Sequence, residues 1–133
     1  MSGTAIIAEL LLARPELLEL VPVAQIKQGA IAQDIPLPAL LIKMESSVDA
    51  QFLKQGRIVR SVERISVTVR AENYRQQKAV LRQVRAAGVG EYAAIGDASR
   101  ISSRTAGRGP DLRGPDESFE QTQDFRVTFD AAA

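Results

Sequence analysis

The stretch Arg64-Ile65-Ser66-Val67-Thr68-Val69-Arg70-Ala71-Glu72-Asn73-Tyr74-Arg75-Gln76-Gln77-Lys78-Ala79-Val80-Leu81-Arg82-Gln83-Val84-Arg85-Ala86-Ala87 changes its period in the middle. Up to Ala71, the apolar residues Ile65, Val67, Val69 and Ala71 alternate with Arg64, Ser66, Thr68 and Arg70, the period of a strand covered on one face. Val62 falls out of phase with that row, which predicts a bulge near Glu63 or a switch in which face is covered. From Asn73 the spacing becomes three and four. Tyr74, Gln77, Leu81 and Val84 form one helical face, widened by Val80 and Ala87. Asn73 can cap this helix, Gln76 can complete a capping box, and Gly88 and Gly90 stand where a C-terminal cap belongs. A strand running directly into an amphipathic helix sets the layout of the rest.

Upstream, Thr4 to Leu12 reads as a helix capped by Ser2 or Thr4, with Ile7, Leu10 and Leu11 on one side. Pro15 suits the first turn of a second piece ending at Leu20, after a kink near Arg14. Val23 to Ala32 suits a short edge-like strand. Asp34-Ile35-Pro36-Leu37-Pro38 must be an extended crossing, because two prolines lack donors and restrict their predecessors. Ala39 to Met44 is a compact apolar strand ending at Glu45-Ser46-Ser47. Downstream, Ile95 to Ala106 reads as a half-exposed polar strand and Gly107 to Pro115 as a turn-rich loop. Phe119 to Phe129 is a closing strand with Phe119, Phe125, Val127 and Phe129 on one face, and Ala131 to Ala133 is a fraying tail. The order helix, three strands, helix, two strands predicts an α+β fold in one domain over residues 1–133. It is a two-layer arrangement, a mainly antiparallel sheet with helices on one face and long hairpin and loop extensions.

Composition excludes most chemistry. The 133 residues contain neither Cys nor His, which removes disulfides, thiolate ligands, imidazole ligands and a Ser–His pair together. Seventeen basic against sixteen acidic side chains leave a net charge of +1, without the cationic excess of a dedicated nucleic-acid binder. Thirteen of the seventeen cations are Arg, a side chain suited to interfaces. No run approaches the roughly 20 apolar residues of a membrane span, and Glu9 interrupts the only signal-like start. The Gly-rich GRGPDLRG (107–114) has no Lys and leads into a strand, so it is a hairpin tip and not a phosphate loop. Ser46-Ser47 and Ser102-Ser103 have no base within sequence reach. Asp111, Asp116 and Glu117 lack the spacing of a Ca²⁺ or Mg²⁺ loop and suit keeping a long hairpin soluble or pairing with Arg104, Arg108 and Arg113. Arg75, Lys78, Arg82 and Arg85 lie mainly on the outer side of the main helix, as a solvated or paired face. Phe52-Leu53 in an exposed connection suits a protein contact. No catalytic residue, cofactor or metal site is expected.

The succession AELLLARPELLELV, DIPLPALLIKM, RISVTVRAENYRQQKAVLRQVRAA and QTQDFRVTFD resembles the small tail-completion proteins of long-tailed phages, lambda-like tail terminators (minor tail proteins) included. The likeness runs from about Ala5 to Asp130, and Val69-Arg70-Ala71 with Tyr74, followed by Asp124-Phe125-Arg126-Val127, carry most of it. The resemblance implies a non-enzymatic subunit of a hexameric ring. That ring would cap the head-proximal end of the tail tube, stop tube polymerisation and offer a joining surface to the head. Its implied partners are further copies of itself, the major tail tube protein and the head–tail connector protein, with no membrane and no sequence-specific nucleic acid, although DNA would pass through the ring. The implied location is the virion tail, reached from the host cytoplasm. Ring closure needs two different patches, and the segments Val48 to Val59 and Arg104 to Glu117 are the expected suppliers, ordering as neighbours arrive. They hold Phe52, Leu53, Lys54, Arg57, Arg104, Arg108, Asp111, Arg113 and Asp116 as candidate contact residues. The alternative is a small α+β ligand- or nucleotide-binding domain, which would show a deep pocket with convergent carboxylates and Arg. RNA binding through the basic helix face is a third possibility.

Overall fold

The alternating segment is the middle of a long strand. In the computed structural model, which describes residues 1–50 and 58–132, β3 (Ile58–Ala71) pairs antiparallel on one side with β2 (Ala39–Ala50) and on the other with β7 (Phe119–Ala132). The remaining described strands are β1 (Ile26–Gln28), β4 (Gly90–Ile95), β5 (Ala98–Arg108) and β6 (Leu112–Arg113). They form one sheet in the order β1-β2-β3-β7-β5-β4, with β6 also on β7. β1 runs parallel to β2 and the other pairings are antiparallel, so the sheet is mixed but mainly antiparallel, as expected. Helices α1 (Gly3–Leu12), α2 (Pro15–Leu18) and α3 (Tyr74–Ala87) complete the α+β fold.

Inward alternation on the strands meets the helical stripes. Ile65, Val67 and Val69 of β3, Leu40 and Ile42 of β2, and Phe125 and Val127 of β7 are fully buried against Ile6, Ile7 and Leu11 of α1 and Val80 and Val84 of α3. Each such side chain contributes about 1.5–3 kcal/mol of transfer free energy, and this shared layer holds the helices to the sheet. Asn73 caps α3 by accepting the Gln76 N–H at 2.8 Å, and the Gln76 side chain returns to the Glu72 N–H at 2.8 Å. Ser2 caps α1, and Arg14, in extended conformation, separates α1 from α2.

Several expectations change. The register of β3 with β7 is continuous through Glu63, so the bulge is not there. It lies on β2 between Met44 and Ser46. Alternation on β3 continues, and this places Glu63 on the helix-covered face and Val62 on the open one. Glu63 is tolerated because its carboxylate accepts the Gly3 N–H at 2.8 Å and the Ser47 hydroxyl at 3.0 Å. The same cross-strand bonding carries β2 past Met44, where its apolar run stops: Glu45 accepts from Ser66, and Asp49 from Ser61. Ile95 to Ala106 is not one strand, because β4 ends at Ile95 and turns through Gly96-Asp97 into β5. Of Val23 to Ala32 only β1 is strand, preceded by a 3-10 turn at Val23–Gln25. The expected tail at Ala131 is instead paired with Val59, since β3 reaches back to Ile58 and supplies a partner. Tyr74, assigned to the core stripe, is 47% exposed and touches Phe119 edge-on.

The face of the sheet away from the helices is polar and largely self-paired. Arg60 meets Asp130 at 2.8 Å, Arg64 meets Asp124 at 2.7 Å, Arg70 meets Glu120 at 2.7 Å, and Thr68 meets Thr122 at 2.8 Å.

Candidate interaction surface

Phe52, Leu53, Lys54 and Arg57 lie outside the described residues. The described ends of their segment, at Val48 and Val59, belong to the paired strands β2 and β3. The second segment, Arg104 to Glu117, is built rather than loose. Two buried glutamines on the inward face of β7 hold it: Gln123 donates to the Gly107 carbonyl at 2.9 Å, and Gln121 to the Gly109 carbonyl at 2.9 Å. The Gly109 N–H bonds back to the Thr122 carbonyl at 2.8 Å.

Its charged residues go to separate places. Asp111 folds over α3, accepting from Gln77 at 2.8 Å, Tyr74 at 3.1 Å and Lys78 at 3.4 Å. Burial pushes its carboxyl up, but the hydrogen bonds from Gln77, Tyr74 and Lys78 outweigh that and hold it below the ordinary carboxylate value. Arg104 is on β5, in register with Arg126 of β7, and reaches Glu91 of β4 at 3.2 Å. Arg113 stacks on the Phe119 ring, 3.9 Å from its centroid, and donates to the Glu117 carbonyl. Asp116 has a left-handed backbone (φ 53°) in a 3-10 turn at Pro115–Glu117. The expected pairing of Asp111, Asp116 and Glu117 with Arg104, Arg108 and Arg113 is therefore not what forms among the described residues. Asp111 pairs with Lys78 and Arg104 with Glu91, because β5 places Arg104 beside β4 while the turn before β6 brings Asp111 over α3.

Arg108 completes a feature that sequence spacing left as a solvated helix face. With Lys78, Leu81, Arg82 and Arg85 of α3 it lines an open groove of about 290 Å³. Among the described residues, Arg82, Arg85 and Arg108 form no ion pair. The three-and-four spacing of Lys78, Arg82 and Arg85 was visible, whereas Arg108 could be added only once β5 was known to end beside α3. The groove is wide open and lined by cations and a leucine. It has none of the convergent carboxylates that the ligand-binding alternative requires. No group of three or more Asp or Glu able to hold a metal ion occurs among the described residues.

The model of the family described as tail completion protein gp17 matches residues 5–131. No curated protein matches the chain. Among solved structures, a chain from the "Virion of native gene transfer agent (GTA) particle" superposes with a TM-score of 0.70 at 15% identity. The match covers 98% of this chain and 96% of that one, a likeness of fold. Since the family's bounds enclose the helices and the paired strands of the domain almost end to end, the chain belongs to the tail completion protein gp17 family, structural proteins of phage tails.

Proposed function

We propose that the protein is a non-enzymatic virion subunit that closes into a ring, a hexamer, on the head-proximal end of a phage or prophage tail tube. There it stops tube polymerisation and presents the joining surface to the head connector. Family membership carries this reading, since the family's model matches residues 5–131. Its surface fits the role: ordered segments from β5 to β7 and an open cationic groove offer broad contact areas. In this reading the partners are further copies of the chain, the major tail tube protein and the connector, and the location is the virion tail.

Two measurements test it. Native mass spectrometry of the purified chain should show a discrete closed oligomer. Electron microscopy of lysates from a phage lacking this gene should show tails of uncontrolled length and heads without tails, both cured by supplying the protein. Tails of normal length attached to heads in the deletion strain would reject the role.

A further inference from the structure

Resting on the ring reading, we propose that neighbouring subunits join head to tail by charge, the cationic groove of one taking the acidic α1–α2 corner of the next. The groove is one half. Arg82 and Arg85 project from α3 beside Arg108, all three exposed and free of ion pairs among the described residues, with Leu81 at the base. The other half lies across α3. α1, α2 and the residues just after them carry the exposed Glu9, Glu16 and Glu19, of which Glu16 already meets Arg14 at 3.6 Å, together with the exposed apolar residues Leu12, Leu20 and Val23. Carboxylates are what a groove lined by exposed cations would receive.

Position makes the contact intermolecular. Residues 78, 82 and 85 share one flank of α3. The opposite flank packs on α1 and α2, where Arg14 donates to Gln83 at 2.7 Å and Leu10, Ala13 and Pro15 border Ala86 and Ala87. With the helix between them, the two patches of one subunit cannot meet. Two different patches facing opposite ways form a heterologous contact, the kind that generates rings. A nucleic-acid backbone fits less well. The net charge is only +1, without the cationic excess that a phosphate backbone calls for.

Charge reversal on the full-length chain tests this. Arg82→Glu with Arg108→Glu converts the groove, and Glu9→Lys with Glu19→Lys converts the corner. All four sites are exposed and make no ion pair among the described residues, so melting should match wild type. By native mass spectrometry and sedimentation velocity, wild type should assemble and each variant alone should not. An equimolar mixture of the two should assemble again, since every groove then finds an opposite corner in an alternating ring. The chain carrying all four changes should also reassemble alone. Unimpaired oligomers in both variants would overturn the inference and leave the ring reading standing. A monomeric wild type at high concentration would remove the ring reading and this contact with it. Failure of the mixture to assemble would also overturn it. So would salt-sensitive binding of a duplex DNA probe that disappears in the groove variant, which would mark the groove as a phosphate surface.

Discussion

Glu63→Ala should be one of the most damaging single polar-to-alanine changes on β3. The carboxylate lies on the helix-covered face at 9% exposure. It accepts the Gly3 N–H at 2.8 Å and the Ser47 hydroxyl at 3.0 Å. A net hydrogen bond to a charged group contributes about 1.5–3 kcal/mol, and a negative charge at a helix N-terminus about 0.3–2 kcal/mol. Against these stands the desolvation of a carboxylate, relieved when it is removed. The balance should be a loss of about 2–4 kcal/mol for alanine. Glu63→Gln keeps one accepting oxygen for the Gly3 N–H and puts an amide NH2 before the Ser47 hydroxyl, which can turn to accept, so it should lose less, about 1–2 kcal/mol. Urea unfolding followed by circular dichroism at neutral pH measures both. Gly3 offers a cross-check, since a β-carbon there would stand 2.5 Å from Glu63 Oε1 and 2.9 Å from Ile65 Cδ1. Gly3→Ala should therefore destabilise the wild type by about 1–3 kcal/mol and cost less in the Glu63→Ala background, a coupling readable from a double-mutant cycle. Alanine and glutamine variants of equal stability, or additive Gly3 and Glu63 effects, would refute the capping argument.

Gly88→Ala should destabilise by about 1–3 kcal/mol through overpacking, because the new methyl would lie 2.5 Å from Phe125 Cζ. Phe125→Leu in that background should recover part of the loss, as thermal melts would show. The Asp111 latch should respond to acid in one direction. Its carboxyl is held below the ordinary value of 3.8 in the folded protein, so its contribution is complete above that value and fades as pH falls through the depressed one. Hydrogen exchange at Gly109 and its neighbours should be constant from pH 8 to 5 after correction for intrinsic rates, and faster under stronger acid. Asp111→Ala should speed the same exchange at neutral pH.

Legibility in the sequence followed burial. β3, α3 and the phenylalanines of β7 were readable because one covered face imposes a period on side-chain choice, and the capping residues Asn73 and Gln76 sit where their chemistry puts them. β4 was missed because Gly90-Glu91-Tyr92-Ala93-Ala94-Ile95 is an edge strand with little to cover, leaving no alternation. The distal half of β2 was missed because Ser47 and Asp49 are held by cross-strand hydrogen bonds to β3, which no single-strand pattern reveals. The surface was harder still. The order of Arg104 to Glu117 depends on Gln121 and Gln123, polar residues at core-facing positions whose partners are loop carbonyls. Nothing about their spacing names those partners.

Where the unpaired charge lies helps decide which surface is free to bind. On the open face of the sheet, Arg60, Arg64 and Arg70 each have a carboxylate within 2.8 Å, and the Arg70–Glu120 pair is largely buried. Breaking such a pair to suit a partner leaves a poorly solvated charge behind, which costs several kcal/mol. Arg126 departs from this pattern, standing in register between Arg64 and Arg104 with no ion pair among the described residues. Like charges directly opposite one another on a sheet are unfavourable, so an acidic side chain arriving there would be welcome, but the cations on either side already have carboxylates. The α3 groove differs in kind. Arg82, Arg85 and Arg108 are exposed together and form no ion pair among the described residues, so binding need break no ion pair of theirs there. Reversal of Arg126 to Glu should then leave assembly intact and raise stability slightly by relieving the row, while reversal in the groove abolishes assembly. If Arg126→Glu disrupted the oligomer and the groove variant did not, the open face of the sheet would be the contact surface.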